Sequence, residues 1–113
     1  MSTKVKKLDD VLLVYLRGEL DHHSTGAIRE TIDNYLFGTK INNIIFNFKG
    51  VTFMDSSGVG MILGRYRRIS NNNGKIAVIN INPKLKRIFE ISGLFKFVQQ
   101  YENEKEAIQK MQG

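Results

Sequence analysis

Ile44-Ile45-Phe46-Asn47-Phe48 carries an apolar side chain at every position but one. Successive side chains of a strand leave opposite faces, so a strand of this composition needs cover on both sides. That requirement describes a parallel sheet sheltered by helices rather than an antiparallel sheet with one wet face. The rest of the chain supplies the cover, because strand-patterned and helix-patterned segments alternate along it with no linker and no internal repeat. Parallel neighbours must then be joined by right-handed crossovers.

Val5 to Leu8 and Val11 to Leu20 read as a hairpin turning at Asp9-Asp10, which makes the sheet mixed. In the second strand Leu12, Val14 and Leu16 alternate with Leu13, Tyr15 and Arg17, so at least one face is buried. Ser24 or Thr25 caps a helix whose apolar stripe is Ile28, Ile32, Tyr35 and Leu36, ending near Gly38. A second helix is expected from about Ser57 to Ser70, with Val59, Ile62, Leu63, Tyr66 and Ile69 at helical spacing, stopping at Asn71-Asn72-Asn73-Gly74. Lys75 to Ile81 is the next strand. Asn82 then caps a short helix with Pro83 at its first position, where a missing N–H does no harm. Leu85, Ile88 and Phe89 form its buried face and Gly93 ends it. A last short strand is expected at Phe97 to Gln99. Asn103 then caps a closing helix with Glu104 and Glu106 in its first turn and Ala107, Ile108 and Met111 on its apolar side. The expected fold is α/β, one domain over residues 1–113, with a mixed sheet of four to five strands covered by about four helices.

A chain of 113 residues suffices for one core, burying roughly two thirds of the surface its unfolded form exposes. Hydrophobic residues at 42% and charged residues at 25% argue against disorder. There is no cysteine, hence no disulfide framework and no thiolate chemistry. Met1 to Lys7 contains no apolar stretch of the kind a secretion signal needs. No apolar run approaches the ~18 residues of a membrane span, so a cytoplasmic protein is expected. The net charge of +6 raises the question of nucleic acid. Its local clusters, Arg65, Arg67 and Arg68 and then Lys84, Lys86 and Arg87, fall within helix patterns and lack interleaved aromatics for base stacking. A solvated basic face is the expectation, with no direct contact to nucleic acid and an acidic protein partner as the alternative.

The chemistry concentrates in Phe53-Met54-Asp55-Ser56-Ser57-Gly58-Val59-Gly60. A buried strand end runs into a tight turn with adjacent hydroxyls and then directly into a helix. Ser56 and Ser57 read either as the helix N-cap or as phosphoacceptors, because a phosphate there meets free N–H groups and the positive end of the helix dipole. Gly58 and Gly60 in the first turn disfavour helix and so need a reason, either close approach of a partner or packing against the sheet. Gly18-Glu19-Leu20-Asp21 also ends a strand at a helix entry. The two segments are expected side by side on one rim of the sheet, where partners dock on open α/β folds. Ser, His22, His23 and Asp55 include the residue types of a hydrolase triad. The glycine that a nucleophile elbow needs before its serine is absent, with Asp55 on that approach instead. Adjacent histidines point in different directions on a regular element and make a poor metal pair. Both are read as turn residues. Neither a Walker loop nor a dinucleotide fingerprint is present. The chain is not expected to be an enzyme.

Four segments stand in order along the chain, Gly18 to His23, Phe53 to Gly60, Gly64-Arg65-Tyr66 and Ser92-Gly93-Leu94-Phe95-Lys96. Together they resemble the anti-sigma-factor antagonists of endospore-forming bacteria, the stage II sporulation protein AA type within the STAS domain family. The resemblance implies a mixed sheet covered by helices and a role in partner switching. The unphosphorylated form would bind an anti-sigma factor that is also a serine kinase, displacing the sigma factor. The kinase would use ATP and Mg²⁺, which are its own ligands and not cofactors of this chain, to phosphorylate the first serine of the D-S-S-G motif, here Ser56. A serine phosphatase would reverse the step. Asp21, Ser56, Ser57, Gly58, Val59 and Gly60 would form the partner surface of a chain that is monomeric when free. The alternative within the same fold is a scaffold or sensor module of a stressosome-like assembly.

Overall fold

Asp9 sits at φ 55°, a left-handed conformation that aspartate tolerates, and closes the hairpin between β1 (Lys4–Leu8) and β2 (Val11–Leu20). The computed structural model describes residues 3–112. After the hairpin come α1 (Thr25–Leu36), β3 (Asn43–Met54), α2 (Ser56–Ser70), β4 (Ile76–Ile79), α3 (Pro83–Ser92), β5 (Val98–Tyr101) and α4 (Glu104–Gln112). All five strands lie in one sheet in the order β1-β2-β3-β4-β5. The hairpin pair is antiparallel and every later pair is parallel, so the sheet is mixed as expected. No helix among the described residues is long and apolar enough to cross a membrane.

The central strand β3 is covered on both faces, as its composition demands. On one side Ile44, Phe46 and Phe48 join Leu12, Val14 and Leu16 beneath Ile28 and Ile32 of α1, Ile62 and Ile69 of α2, and Leu85 and Phe89 of α3. Phe48 and Phe89 meet edge to face with ring centroids 5.4 Å apart. On the other side Leu13, Ile45, Ala77 and Ile79 pack with Ala107 of α4. The two registers of β2 thus feed two separate cores. Asn82 and Asn103 both cap as expected, accepting from the N–H groups of Leu85 and Glu106 at 2.8 Å each. Gly93 takes φ 79° at the end of α3.

Several boundaries differ from the sequence pattern, each for a local reason. β3 continues six residues past Phe48 to Met54. Its pairing with β2 slips between Tyr15 and Arg17 and again between Gly18 and Glu19, and these bulges break the period by which a strand is read. β4 is shorter than Lys75 to Ile81, because Asn80 leaves the extended region at φ 60°. β5 begins after Phe97, whose N–H instead closes a turn onto the Leu94 carbonyl at 2.9 Å. Tyr35 stays 40% exposed at the margin of α1, which buries Ile28, Ile32 and Leu36 alone. Ser24 occupies the N-cap position without capping, for its hydroxyl donates to the Glu19 carbonyl at 2.6 Å.

The Tyr15 hydroxyl donates to Glu104 Oε1 at 2.6 Å and so ties β2 to the first turn of α4. That bond, then burial and the Glu104 charge, push the phenol up to about 12. A folded-state value raised in this way contributes stability at all pH values below the unfolded value of about 10 and loses it as pH climbs toward the folded value. Tyr15→Phe is therefore expected to lower unfolding free energy by about 1 to 2 kcal/mol at neutral pH. It should also remove part of the alkaline loss between about pH 10 and about pH 12. Urea melts across that range test this, and parallel curves for the two proteins would count against it.

Candidate functional site

The last residues of β2 and β3, Leu20 and Met54, are paired in register, and the N–H of Asp55 donates to the Leu20 carbonyl at 3.2 Å. Both strands run parallel, so their following turns emerge on the same rim of the sheet. The turn carrying Asp21 and the turn carrying Ser56 are thereby brought side by side, and each opens a helix.

Asp55, rather than either serine, caps α2. Its carboxylate accepts from the Ser57 N–H at 2.8 Å, and its carbonyl accepts from Gly58 and Val59 at 3.0 and 3.3 Å. The helix accordingly starts at Ser56, one residue earlier than its pattern indicates. This corrects the reading of the serines as caps: Asp55 fills that role, and the Ser56 side chain is left exposed while Ser57 is half-buried. It also narrows the expectation of free N–H groups at this helix entry, since those of Ser57, Gly58 and Val59 are already bonded to Asp55.

Asp21 organises its own turn. Its Oδ1 accepts from the N–H groups of His23 and Ser24 at 2.9 and 3.2 Å. The His23 N–H is the main reason that the carboxyl titrates below its usual range. The Ser24 N–H and the two histidines add to the effect, against a contribution from burial. Asp21 is thus a turn residue whatever else it does. His22 and His23 are exposed in that turn, but instead of pointing apart their rings lie 3.9 Å apart between centroids. Among the described residues no hydrogen bond links either histidine to Ser56 or Ser57. His23 Nδ1 instead lies 3.8 Å from Asp21 Oδ1.

The two glycines separate cleanly. A Cβ at Gly58 would overlap Met54 Cγ and come within 2.9 Å of its sulfur and 3.2 Å of Leu20 Cβ, so this glycine lets α2 sit against the strand ends. A Cβ at Gly60 would meet nothing within 4 Å. Val59, half-buried, turns toward α3. With Met54, Ser56, Ile88, Ile91 and Ser92 it lines an apolar hollow of about 320 Å³ beside the Ser56 hydroxyl. Ile91 is 75% exposed and Phe53 39% exposed near the same rim. Sequence reasoning missed this flank. The signal was present in Ile91, an apolar residue two positions past Phe89 and so off the buried face of α3.

The basic cluster on α2 is also not a wholly solvated face. Arg67 and Arg68 are exposed, but Arg65 is buried, with its Nε 3.0 Å from Asp33 Oδ1 on α1 and Arg68 Nη1 3.3 Å from the same oxygen. Burial pulls the Arg65 value down while Asp33 opposes the shift. The pair bridges α1 to α2 behind the rim.

The STAS domain model matches residues 2–107 of the chain. The anti-sigma F factor antagonist of Paenibacillus polymyxa is 41% identical over 102 residues, covering 90% of this chain and 87% of that one. Among solved structures, the anti-sigma factor antagonist SpoIIAA in its unphosphorylated form aligns with a TM-score of 0.80 at 31% identity, over 99% of both chains. The Bacillus cell fate determinant SpoIIAA in the phosphorylated form aligns with a TM-score of 0.76 at 34% identity, over 96% of this chain and 98% of that one.

The glycine geometry sets opposite expectations for two similar substitutions. Gly58→Ala should destabilise the fold by about 1 to 3 kcal/mol through overpacking against Met54. Gly60→Ala, in open space on a helix, should stabilise by up to about 1 kcal/mol. Thermal melts of the two variants decide the matter, and a shift of the same sign in both would contradict it.

Proposed function

The chain belongs to the STAS domain family, and we infer that it acts there as an anti-sigma factor antagonist. In its unphosphorylated form it binds an anti-sigma factor that is also a serine kinase and displaces the sigma factor held there. Ser56 Oγ is the phosphoacceptor: it attacks the γ-phosphorus of the kinase's ATP, ADP leaves, and the hydroxyl proton passes to a base on the kinase. A serine phosphatase hydrolyses the ester and restores the binding form. The chain itself is a regulatory binding protein in the cytoplasm, not an enzyme, and ATP and Mg²⁺ belong to the kinase.

The observation that carries this reading is the release of Ser56. Asp55 takes over capping, so the Ser56 hydroxyl stands exposed at the start of a rigid helix, on the rim shared with the Asp21 turn. A kinase needs its acceptor oxygen presented without local unfolding, and a serine engaged in capping would not offer that. Asp21, Ser57, Val59 and Gly60 surround it on the contact surface, with Gly58 serving the packing beneath. Incubation with the cognate kinase and ATP, followed by mass spectrometry, tests the assignment. Phosphate on Ser57 alone, or on neither serine, would sink it.

Two variants probe the switch and the surface. Ser56→Ala should bind the kinase persistently, whereas Ser56→Asp should bind at least about tenfold more weakly through charge repulsion. Equal affinities by titration calorimetry would defeat the electrostatic account. Because Asp21 also holds its turn, Asp21→Asn is the informative change: it keeps the acceptor oxygen and removes the charge. It should melt like the parent protein yet bind the kinase about tenfold more weakly if the carboxylate pairs with a basic group there. Unchanged affinity would leave Asp21 as a turn residue only.

A further inference from the structure

On the opposite flank of α2 from the Ile91 hollow, a cleft of about 350 Å³ opens against α1. Thr25 and Arg29 line it from α1, and Ser57, Gly60, Gly64 and Arg65 from α2. Gly60 and Gly64 lie about one helical turn apart, and a Cβ at either would meet nothing within 4 Å, so the wall between them is open.

The base of the cleft is unusual in its charge. The Arg65 side chain is only 9% exposed; its Nε faces Asp33 Oδ1 at 3.0 Å, and its Nη1 makes no hydrogen bond among the described residues. Buried donors in folded proteins are nearly always satisfied, and an exception calls for a partner. Asp33 Oδ1 is shared between Arg65 Nε and Arg68 Nη1, so its one charge is divided between two guanidinium groups. The charged groups that bear on Arg65 are Asp33, Arg29 and Arg68, one carboxylate facing guanidinium groups in excess.

We propose that the α1–α2 cleft is a binding site for a phosphate-class oxyanion, held by Arg65 and Arg29 and by the hydroxyls of Ser57 and Thr25. Asp33 already occupies the Nε edge of Arg65, the edge that would otherwise offer a planar fork to a carboxylate. The remaining donors converge from two helices and therefore suit the several directions of a tetrahedral anion better than the single plane of a carboxylate. The site shares Ser57 and Gly60 with the proposed partner surface but does not use the Ser56 hydroxyl, and because phosphate binding is read on the free chain, its failure is distinguishable from failure of the proposed switch.

The full chain, labelled with ¹⁵N, is titrated with inorganic phosphate at constant ionic strength, with parallel chloride and acetate series. Saturable shifts are expected with phosphate at the amides of Ser57, Gly60 and Gly64. Arg29→Ala, a change at an exposed residue, should weaken phosphate binding about tenfold with no change in melting temperature. Gly64→Leu should fill the cleft and abolish binding. If that variant fails to fold, Arg29→Ala alone decides. Shifts that do not saturate, that chloride or acetate reproduce at equal concentration, or that persist unchanged in folded Arg29→Ala would overturn the proposal.

Discussion

The parallel pairing of β2 with β3, carried to the end at Leu20 and Met54, is the constraint on which the rest of the molecule depends. Because both strands finish at the same level, their turns share a rim and α1 and α2 set out from neighbouring points on the same face. That common origin lets Asp33 on α1 reach Arg65 and Arg68 on α2. It also presses the first turn of α2 onto the strand ends, where only a residue without a side chain fits between Met54 and Leu20. The bulges in β3 serve the same end. They absorb extra residues between Asn47 and Met54 while the strand stays paired to its last residue.

The layered fold was legible because its signals are local and redundant. The run Ile44 to Phe48 demands cover on both faces, the alternation in β2 assigns residues to each, and Asn82-Pro83, Asn103 and Gly93 mark helix ends by their own chemistry. What escaped the sequence was long-range or conformational. Nothing near Arg65 announces that Asp33, 32 positions away, will draw it into the interior. The cap was misread for a subtler reason. Aspartate and serine are equally good caps, so Asp55-Ser56-Ser57 admits three solutions, and only the extended backbone at Asp55 (φ −113°, ψ −166°) selects the first. The adjacency of the Asp21 and Ser56 turns was expected from the topology, and the pairing of Leu20 with Met54 supplies it.

The choice of Asp55 as cap divides labour between neighbours. A cap must hold its oxygen against the helix, while an acceptor of a phosphoryl group must hold its oxygen away from it. One hydroxyl cannot do both at once. With the carboxylate bonded to the Ser57 N–H, α2 keeps its first turn whether or not the Ser56 side chain is modified.

That arrangement bears on how modification would act under the proposed function. A phosphate on Ser56 would find the N–H groups of Ser57, Gly58 and Val59 engaged by Asp55, and a carboxylate of its own sign beside it. With about −1.5 to −2 charge at neutral pH, it is held off the helix rather than folded into it, and stays hydrated at the rim. A partner closing on the surface would have to strip that hydration and bring its own nucleotide phosphates toward the charge, while the apolar hollow by Val59, Ile88 and Ile91 offers the phosphate nothing in return. On that reading the switch would reside in the interface and leave the fold alone. Under the proposed function, the cap that leaves the Ser56 hydroxyl free for a kinase would also keep those three N–H groups from neutralising its phosphate.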